Sequence, residues 1–261
     1  DLLGALARAY AVLGQETHRA AAEKNLAFIQ KHLWDPATKT LYHRWREGER
    51  DQVQLLPAYA FLLGGVLELY QATLAPQHLE FAVALAEGML VRFYDLDLGG
   101  FWQSAGANGD LILRIKEDYD GAEPAGNSAA ILALAKLAAL TGRPEFKAAA
   151  EKSLRLFAPR LEQHPHAVPY MLQGLDVLLD EPRRVVIAGD AASPPAQELL
   201  RAAHTVYQPR QVVLGTAGPV EPFAQTLPPK NGQATAYVCT GTACRPPTRK
   251  PAKVREFLSC Q

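Results

Sequence analysis

The sequence predicts a mainly α-helical protein, built from two-helix hairpins that curve around a shared centre and followed by a small α/β module. Three observations carry this prediction. First, Ala20-Ala21-Ala22-Glu23-Lys24-Asn25-Leu26 returns as Ala148-Ala149-Ala150-Glu151-Lys152-Ser153-Leu154, with Ala84-Leu85-Ala86-Glu87-Gly88-Met89-Leu90 between them. The three glutamates are evenly spaced, 87 − 23 = 64 and 151 − 87 = 64, an interval that holds two helices and their loops. Second, apolar residues up to about position 180 recur at separations of three and four, the period of a helix with one buried face. Third, the texture after Asp180 changes to short β-branched runs separated by Gly and Pro.

In order along the chain, the pattern predicts helices over 1–13, 17–33, 55–73, 76–93, 127–141, 144–161 and 166–180. Pro76 and Pro144 suit first-turn positions, where the missing N–H costs nothing. Gly14 and Gly142 suit helix C-termini. Asn127 or Ser128 is placed to cap the fifth helix. The segments Tyr59–Tyr70 and Ala129–Leu140 are apolar on most faces, so they are expected inside, packed on more than one side. His18–His32 is more amphipathic and is expected outside.

Two long loops interrupt the helices, Trp34–Gln54 and Asp95–Gly126. The first contains Leu41-Tyr42-His43-Arg44-Trp45; the second contains Phe101-Trp102-Gln103 and Leu111-Ile112-Leu113-Arg114-Ile115-Lys116. Apolar and polar residues alternate in both, so each is expected to hold a short hairpin. Both follow the second helix of a pair, which puts them at one end of the array as a common rim. Loops this long in a compact domain are commonly functional.

The remainder, 181–261, reads as a second unit. Arg184–Asp190 is a strand, Ser193-Pro194-Pro195 opens a helix over Ala196–Val206, and Gln211–Gly215 is a second strand. A Pro-rich link over Gly218–Pro229 leads to a third strand, Ala234–Cys239, and a closing helix, Lys253–Leu258. Strand–helix–strand alternation predicts a short parallel sheet. The domain division expected is therefore 1–180 and 181–261.

Composition limits what such a chain can do. Apolar residues make up 48% and charged residues 21%, and Lys plus Arg balances Asp plus Glu at 27 each. That balance gives no footprint for nucleic acid or an anionic membrane, and no apolar run is long enough for a membrane span. No G-x-G-x-x-G or Walker loop is present, so no nucleotide cofactor is expected. The seven histidines form no H-E-x-x-H, and His164-x-His166 alone supplies too few ligands, so no metal is expected. Cys239, Cys244 and Cys260 are an odd, sparse set. They read as buried free thiols in a reducing, cytoplasmic setting, with redox chemistry at Cys239 and Cys244 as the weaker alternative. The chain opens on Asp1-Leu2-Leu3-Gly4 rather than Met, and further sequence is expected upstream.

The stretch Arg114-Ile115-Lys116-Glu117-Asp118-Tyr119-Asp120-Gly121-Ala122-Glu123-Pro124-Ala125-Gly126-Asn127-Ser128 resembles the Asp-Gly-Ala-x-Pro-Ser-Gly-Asn-Ser signature of the spermatogenesis-associated protein 20 family. Val185-Val186-Ile187-Ala188-Gly189, and Ala236-Tyr237-Val238-Cys239 with Cys244, are similar to that family's C-terminal end. The resemblance implies a six-hairpin, glycosidase-like (α/α) toroid, of which this chain holds the C-terminal half. It also implies a thioredoxin-like domain and earlier hairpins upstream as partners in the same chain. Two departures stand out: Leu56-Pro57-Ala58-Tyr59-Ala60 replaces the family's Leu-Asp-Asp-Tyr-Ala, and Ala125 stands where Ser is usual. If the acids carry chemistry in relatives, Pro57 and Ala58 put that chemistry in doubt here.

The candidate site residues lie on the rim. Asp120 and Glu123 are either a general acid and base around a sugar ring, or acids that complement a helix N-terminus. Arg114 and Lys116 alternate with Leu113 and Ile115; they either bind sugar hydroxyls, a carboxylate or a phosphate, or pair with Asp118 and Asp120. Trp45, Trp102, Tyr59 and Tyr119 either stack on a sugar face or pack the helix ends. His43, Arg44 and Asn127 complete the substrate-binding candidates. Two functions follow: a carbohydrate-active toroid, glycosidase-like or sugar-isomerase-like, or a noncatalytic scaffold serving the upstream thioredoxin-like unit.

Overall fold

The computed structural model describes residues 2–105 and 114–259. Among the described residues, seven α-helices form the first part: α1 (Leu2–Leu13), α2 (Glu16–His32), α3 (Leu56–Thr73), α4 (Pro76–Phe93), α5 (Gly126–Thr141), α6 (Pro144–Gln163) and α7 (Pro169–Leu179). They pair as antiparallel hairpins. Helices α1, α3, α5 and α7 pack side by side as an inner row, and α2, α4 and α6 each back the inner helix that precedes them. The burial follows this layering: every residue of α5 is buried except Lys136, whereas α2 buries only Ala22 and Leu26 fully.

The helix punctuation acts as expected at most ends. Pro76 and Pro144 occupy first turns, and Gly142 closes α5 at φ +70° with its N–H on the Ala138 carbonyl, 2.8 Å away. Two details differ. The α5 helix begins at Gly126, so Asn127 and Ser128 fall inside its first turn and neither caps it. The segment expected as one helix over 166–180 is a 3₁₀ turn, Pro165–Ala167, and then α7, because Val168 precedes a proline and leaves the helical region.

The first rim loop holds two small hairpins, β1 (Trp34–Asp35) with β2 (Thr40–Leu41), and β3 (Trp45–Arg46) with β4 (Glu49–Arg50). The second is folded back by isolated bridges, Tyr94 to Phe101 and Leu55 to Ser104. The last bridge, with the Leu56 N–H on the Gln103 carbonyl at 3.0 Å, joins the two loops into a single rim. Leu111-Ile112-Leu113, expected in a hairpin strand, and Cys260 lie outside the described residues. Where α4 passes under the rim, only glycine fits: a Cβ on Gly88 would stand 2.3 Å from the Lys39 carbonyl oxygen.

After Asp180 come β5 (Arg183–Ala188), α8 (Pro194–His204), β6 (Gln211–Leu214), α9 (Pro222–Gln225), β7 (Thr235–Thr240), β8 (Ala243–Cys244) and α10 (Pro251–Ser259). The sheet order is β6-β5-β7-β8. It is mixed rather than parallel: β5 pairs parallel with β6 across α8, but antiparallel with β7, in the register Ala188–Thr235 to Arg183–Thr240. The cause is the Pro-rich link, whose only described helix is the short α9. The link crosses the end of the sheet instead of running its length, so β7 starts where β5 finishes. One face of the sheet (Val186, Ala188, Val212, Leu214, Tyr237, Cys239) joins the core of the hairpins. The other (Val185, Ile187, Val213, Ala236, Val238) packs under α8 and α10.

The expectation of free thiols is corrected. Cys239 and Cys244 face each other across the β7–β8 hairpin and are disulfide-bonded. Only three strands are legible in the sequence, and without β8 nothing sets Cys244 opposite Cys239.

Four hydrogen bonds hold the C-terminal unit against the hairpins. The Gln71 Oε1 accepts from the Val213 N–H (3.0 Å), and the Tyr70 hydroxyl accepts from the Gly215 N–H (3.2 Å). At the end of α5, the Leu140 carbonyl accepts from the Glu221 N–H (2.8 Å) and the Ala139 carbonyl from Arg184 Nε (3.1 Å).

Candidate functional site

The sequence candidates lie on or beside the two rim loops, and the polar atoms of Asp120, Asn127, Lys116 and Tyr59 hold the rim itself. Asp120 Oδ1 accepts from the Ala125 N–H (2.8 Å), and Oδ2 from the N–H groups of Tyr170 (2.8 Å) and Met171 (3.4 Å). Its carboxylate therefore serves the starts of α5 and α7, the place where a negative charge meets unpaired amides and the positive end of the helix dipole. Glu123 is exposed, and Gly121 donates to its backbone carbonyl. Neither acid lines the cavity between the inner helices described below. Asn127 is fully buried: Oδ1 accepts from the Phe101 N–H (2.7 Å) while Nδ2 donates to the carbonyls of Phe101 and Glu117 (both 2.9 Å).

Lys116 donates to Asp95 Oδ2 and to the Gly99 carbonyl, both at 2.7 Å, with its Nζ 4.5 Å from the centre of the Trp102 ring. Its hydrogen bond, helped by the N–H groups of Leu98 and Asp97, holds the Asp95 carboxyl down to about 2. Arg114 is exposed and lies over the same indole at 4.7 Å. Asp118 pairs with Arg160, through two bonds of 3.0 and 3.2 Å, and not with Arg114 or Lys116 as the sequence suggested. Tyr59 is fully buried; its hydroxyl accepts from the Leu41 N–H (2.6 Å) and donates to the Lys39 carbonyl (3.2 Å), and burial pushes the phenol up. Trp45 packs edge-on against Phe28 and beside His32. His43, Arg44 and Tyr119 are exposed.

A second set of residues, which the sequence reading did not single out, lies on the concave side of the inner row. Each of the four inner helices carries one charged side chain: Arg8 on α1, Glu68 on α3, Lys136 on α5 and Asp176 on α7. All four line one cavity of about 500 Å³, floored by the α8–β6 connection and β6. A smaller cavity of about 240 Å³ shares Arg8, Glu68, Leu132 and Lys136 and runs toward the rim past Gly64, Ala60 and Tyr170. Glu68 sits centrally, 3.2 Å from Lys136 Nζ and 3.9 Å from Arg8 Nη1. Burial raises its carboxyl, but the two cations more than offset this and hold it below the usual range. Asp176 is paired to Arg210 at 2.6 Å.

His204 also lines the cavity. Its Nε2 is 2.9 Å from the Gln71 carbonyl oxygen, which can only accept, so Nε2 carries the proton and Nδ1 the lone pair. Burial, only partly offset by that carbonyl, lowers its pKa and keeps the ring neutral. The signal available in the sequence was a solitary charge on each otherwise uncharged helix.

Among the described residues, no three His, Cys, Asp or Glu side chains gather as a metal would require, and no helix is long and apolar enough to cross a membrane.

Paired helices whose inner members surround a concave, charge-lined face define a glycosidase-like α/α toroid segment. The fold matches cellobiose 2-epimerase from Bacillus thermoamylovorans B4167 with a TM-score of 0.51 at 18% identity, over 61% of this chain and 42% of that one. The sequence is 32% identical over 264 residues to human spermatogenesis-associated protein 20, and 30% identical over 273 residues to the Rattus norvegicus protein of the same name. These alignments take in 95% and 98% of this chain but 34% and 35% of the relatives, so the chain spans about a third of their length. Over that third, the chain is similar in sequence to the proteins named spermatogenesis-associated protein 20. No family model matches it.

Proposed function

We propose that the chain forms part of the ligand-binding wall of a glycosidase-like toroid, and that it takes a neutral, hydroxyl-rich ligand of the carbohydrate class against the inner helices. The observation that carries the reading is the convergence of Arg8, Glu68, Lys136 and Asp176 on one cavity. Their charges cancel, which disfavours a phosphate or a free carboxylate as the preferred ligand. Cationic donors, a carboxylate acceptor and the His204 Nδ1 lone pair together match the mixed donor and acceptor hydroxyls of a sugar. About 500 Å³ accommodates a mono- or disaccharide. Glu68 is held ionised, so it acts as an acceptor and not as a proton donor at neutral pH.

Titration of the chain with neutral mono- and disaccharides, followed by amide chemical shifts, tests the reading. Shifts are expected to cluster on α3, α5 and α7 around Glu68, and Glu68→Gln is expected to weaken binding about tenfold, the value of one charged hydrogen bond. If no saccharide perturbs these amides, the reading fails.

A second reading, a noncatalytic scaffold for an upstream thioredoxin-like unit, draws on the rim. There Asp120, Asn127, Lys116 and Tyr59 bond to the protein's own backbone or side chains. Partner capture that depends on the loops over 34–54 and 94–125, with no saccharide binding, would favour it.

A further inference from the structure

The β7–β8 hairpin places a buried sulfur and an accessible residue in one bond at the edge of the sheet. Cys239 is 2% exposed and belongs to the core shared with the hairpins, while Cys244 is exposed on the two-residue edge strand β8. The bond closes a loop of only a few residues (sequence separation 5), among the shortest a disulfide can close. Loop-closure stabilisation grows with loop length, so this bond constrains the unfolded chain least. The hairpin register is also held without it. The Ala236 and Thr248 amides and carbonyls bond reciprocally at 2.8 and 3.0 Å, and the Arg245 N–H reaches the Val238 carbonyl at 2.9 Å. Across the ladder, Arg184 on β5 is the register partner of Cys239, with its Nε donating to the Ala139 carbonyl.

We propose that Cys239–Cys244 is a thiol–disulfide exchange site, in which Cys244 takes the incoming thiol and Cys239 is the resolving cysteine. The partner is a dithiol, free or protein-borne. Its thiolate attacks Cys244 Sγ, the Cys244–Cys239 bond breaks, and Cys239 leaves as a thiolate. The second thiol of the partner, as thiolate, then attacks the partner's own sulfur in the mixed disulfide. Cys244 leaves as a thiolate, and the partner departs as a cyclised disulfide. Two electrons pass from the dithiol to the cystine, and the two cysteine thiolates take up protons. The reverse sequence re-forms the bond.

The test uses the 261-residue chain carrying Cys260→Ser, kept folded, treated with limiting dithiothreitol, alkylated and mapped by peptide mass spectrometry. Both cysteines are expected to become alkylated without denaturant. When the reduced protein is instead offered glutathione disulfide and quenched, the adduct is expected on Cys244 in about tenfold excess over Cys239, following access to sulfur. The double variant Cys239→Ser/Cys244→Ser is expected to unfold cooperatively with its thermal midpoint lowered by about 5 °C or less. Three results would overturn the proposal: reduction only in denaturant, adducts mainly on Cys239, or a double variant that no longer folds at room temperature. A chain already fully alkylatable after air oxidation would overturn it too.

Discussion

The carboxylate of Asp120 accepts from the backbone N–H of Tyr170, 2.8 Å away and fifty residues on, so a residue of the α4–α5 loop closes the start of α7. Its other oxygen does the same for Ala125 at the start of α5. Asp120→Ala is expected to cost about 1–2 kcal/mol, the range for losing a helix-start acceptor, and Asp120→Asn less. Chemical denaturation gives the cost. Saccharide affinity is expected to be unchanged in both; loss of a sugar reaction without loss of stability would instead restore Asp120 as a chemical group.

Glu68 and Lys136 are the single charges of two otherwise uncharged helices and meet at 3.2 Å. Removing either alone leaves a half-buried charge poorly compensated. Lys136→Met is expected to destabilise by about 1–3 kcal/mol. The double replacement Glu68→Leu/Lys136→Leu is expected to recover most of that loss, which a double-mutant cycle would measure. It is expected to abolish saccharide binding, so stability and binding part company.

The Asp95–Lys116 pair predicts an acid dependence with a definite sign. Asp95 is lowered from its ordinary 3.8 to about 2, chiefly by Lys116. A depressed carboxyl contributes stability that is present above its unfolded value and lost as pH falls through the folded one. The rim is therefore expected to weaken between about pH 4 and pH 2. In Lys116→Met the melting temperature of the chain should depend less on pH across that window; an unchanged dependence would remove Lys116 as the cause.

Gly88→Ala directs a methyl at the Lys39 carbonyl oxygen, 2.3 Å away. Neither backbone can yield without moving α4 or the β1–β2 hairpin. A loss of about 2–3 kcal/mol in thermal or denaturant unfolding is expected, typical of an overpacked contact. A neutral effect would mean that the rim loop stands farther from α4.

The helices were legible because burial on one face writes a 3.6-residue period into the sequence, and the 64-residue spacing was legible because each unit repeats an outer helix. Glu23 and Glu151 even keep the same local pairing, with Arg19 and Lys147 one turn earlier, whereas Glu87 turns to Lys39 and Arg143. Strand order was not legible, because the Pro-rich link says nothing about which edge of β5 it reaches. The disulfide depended on β8, a strand too short to carry a pattern. For the site, the rim drew attention because its acids and aromatics cluster in sequence, yet Asp120, Asn127 and Tyr59 serve backbone groups that only the folded chain presents. Arg8, Glu68, Lys136 and Asp176 lie scattered over 169 positions (176 − 8 + 1), and only the curvature of the inner row collects them.

Gln71 accepts one bond from β6 and one from His204, and the α5 carbonyls accept from residues beyond position 180. A protease that nicks the connection at Glu181–Pro182 would thus sever a covalent link but leave two pieces clasped together, co-eluting until a denaturant parts them. Deleting everything after that connection, by contrast, would strip the floor from the groove and bare an oily surface, so a shortened chain ought to precipitate rather than persist as an independent bundle.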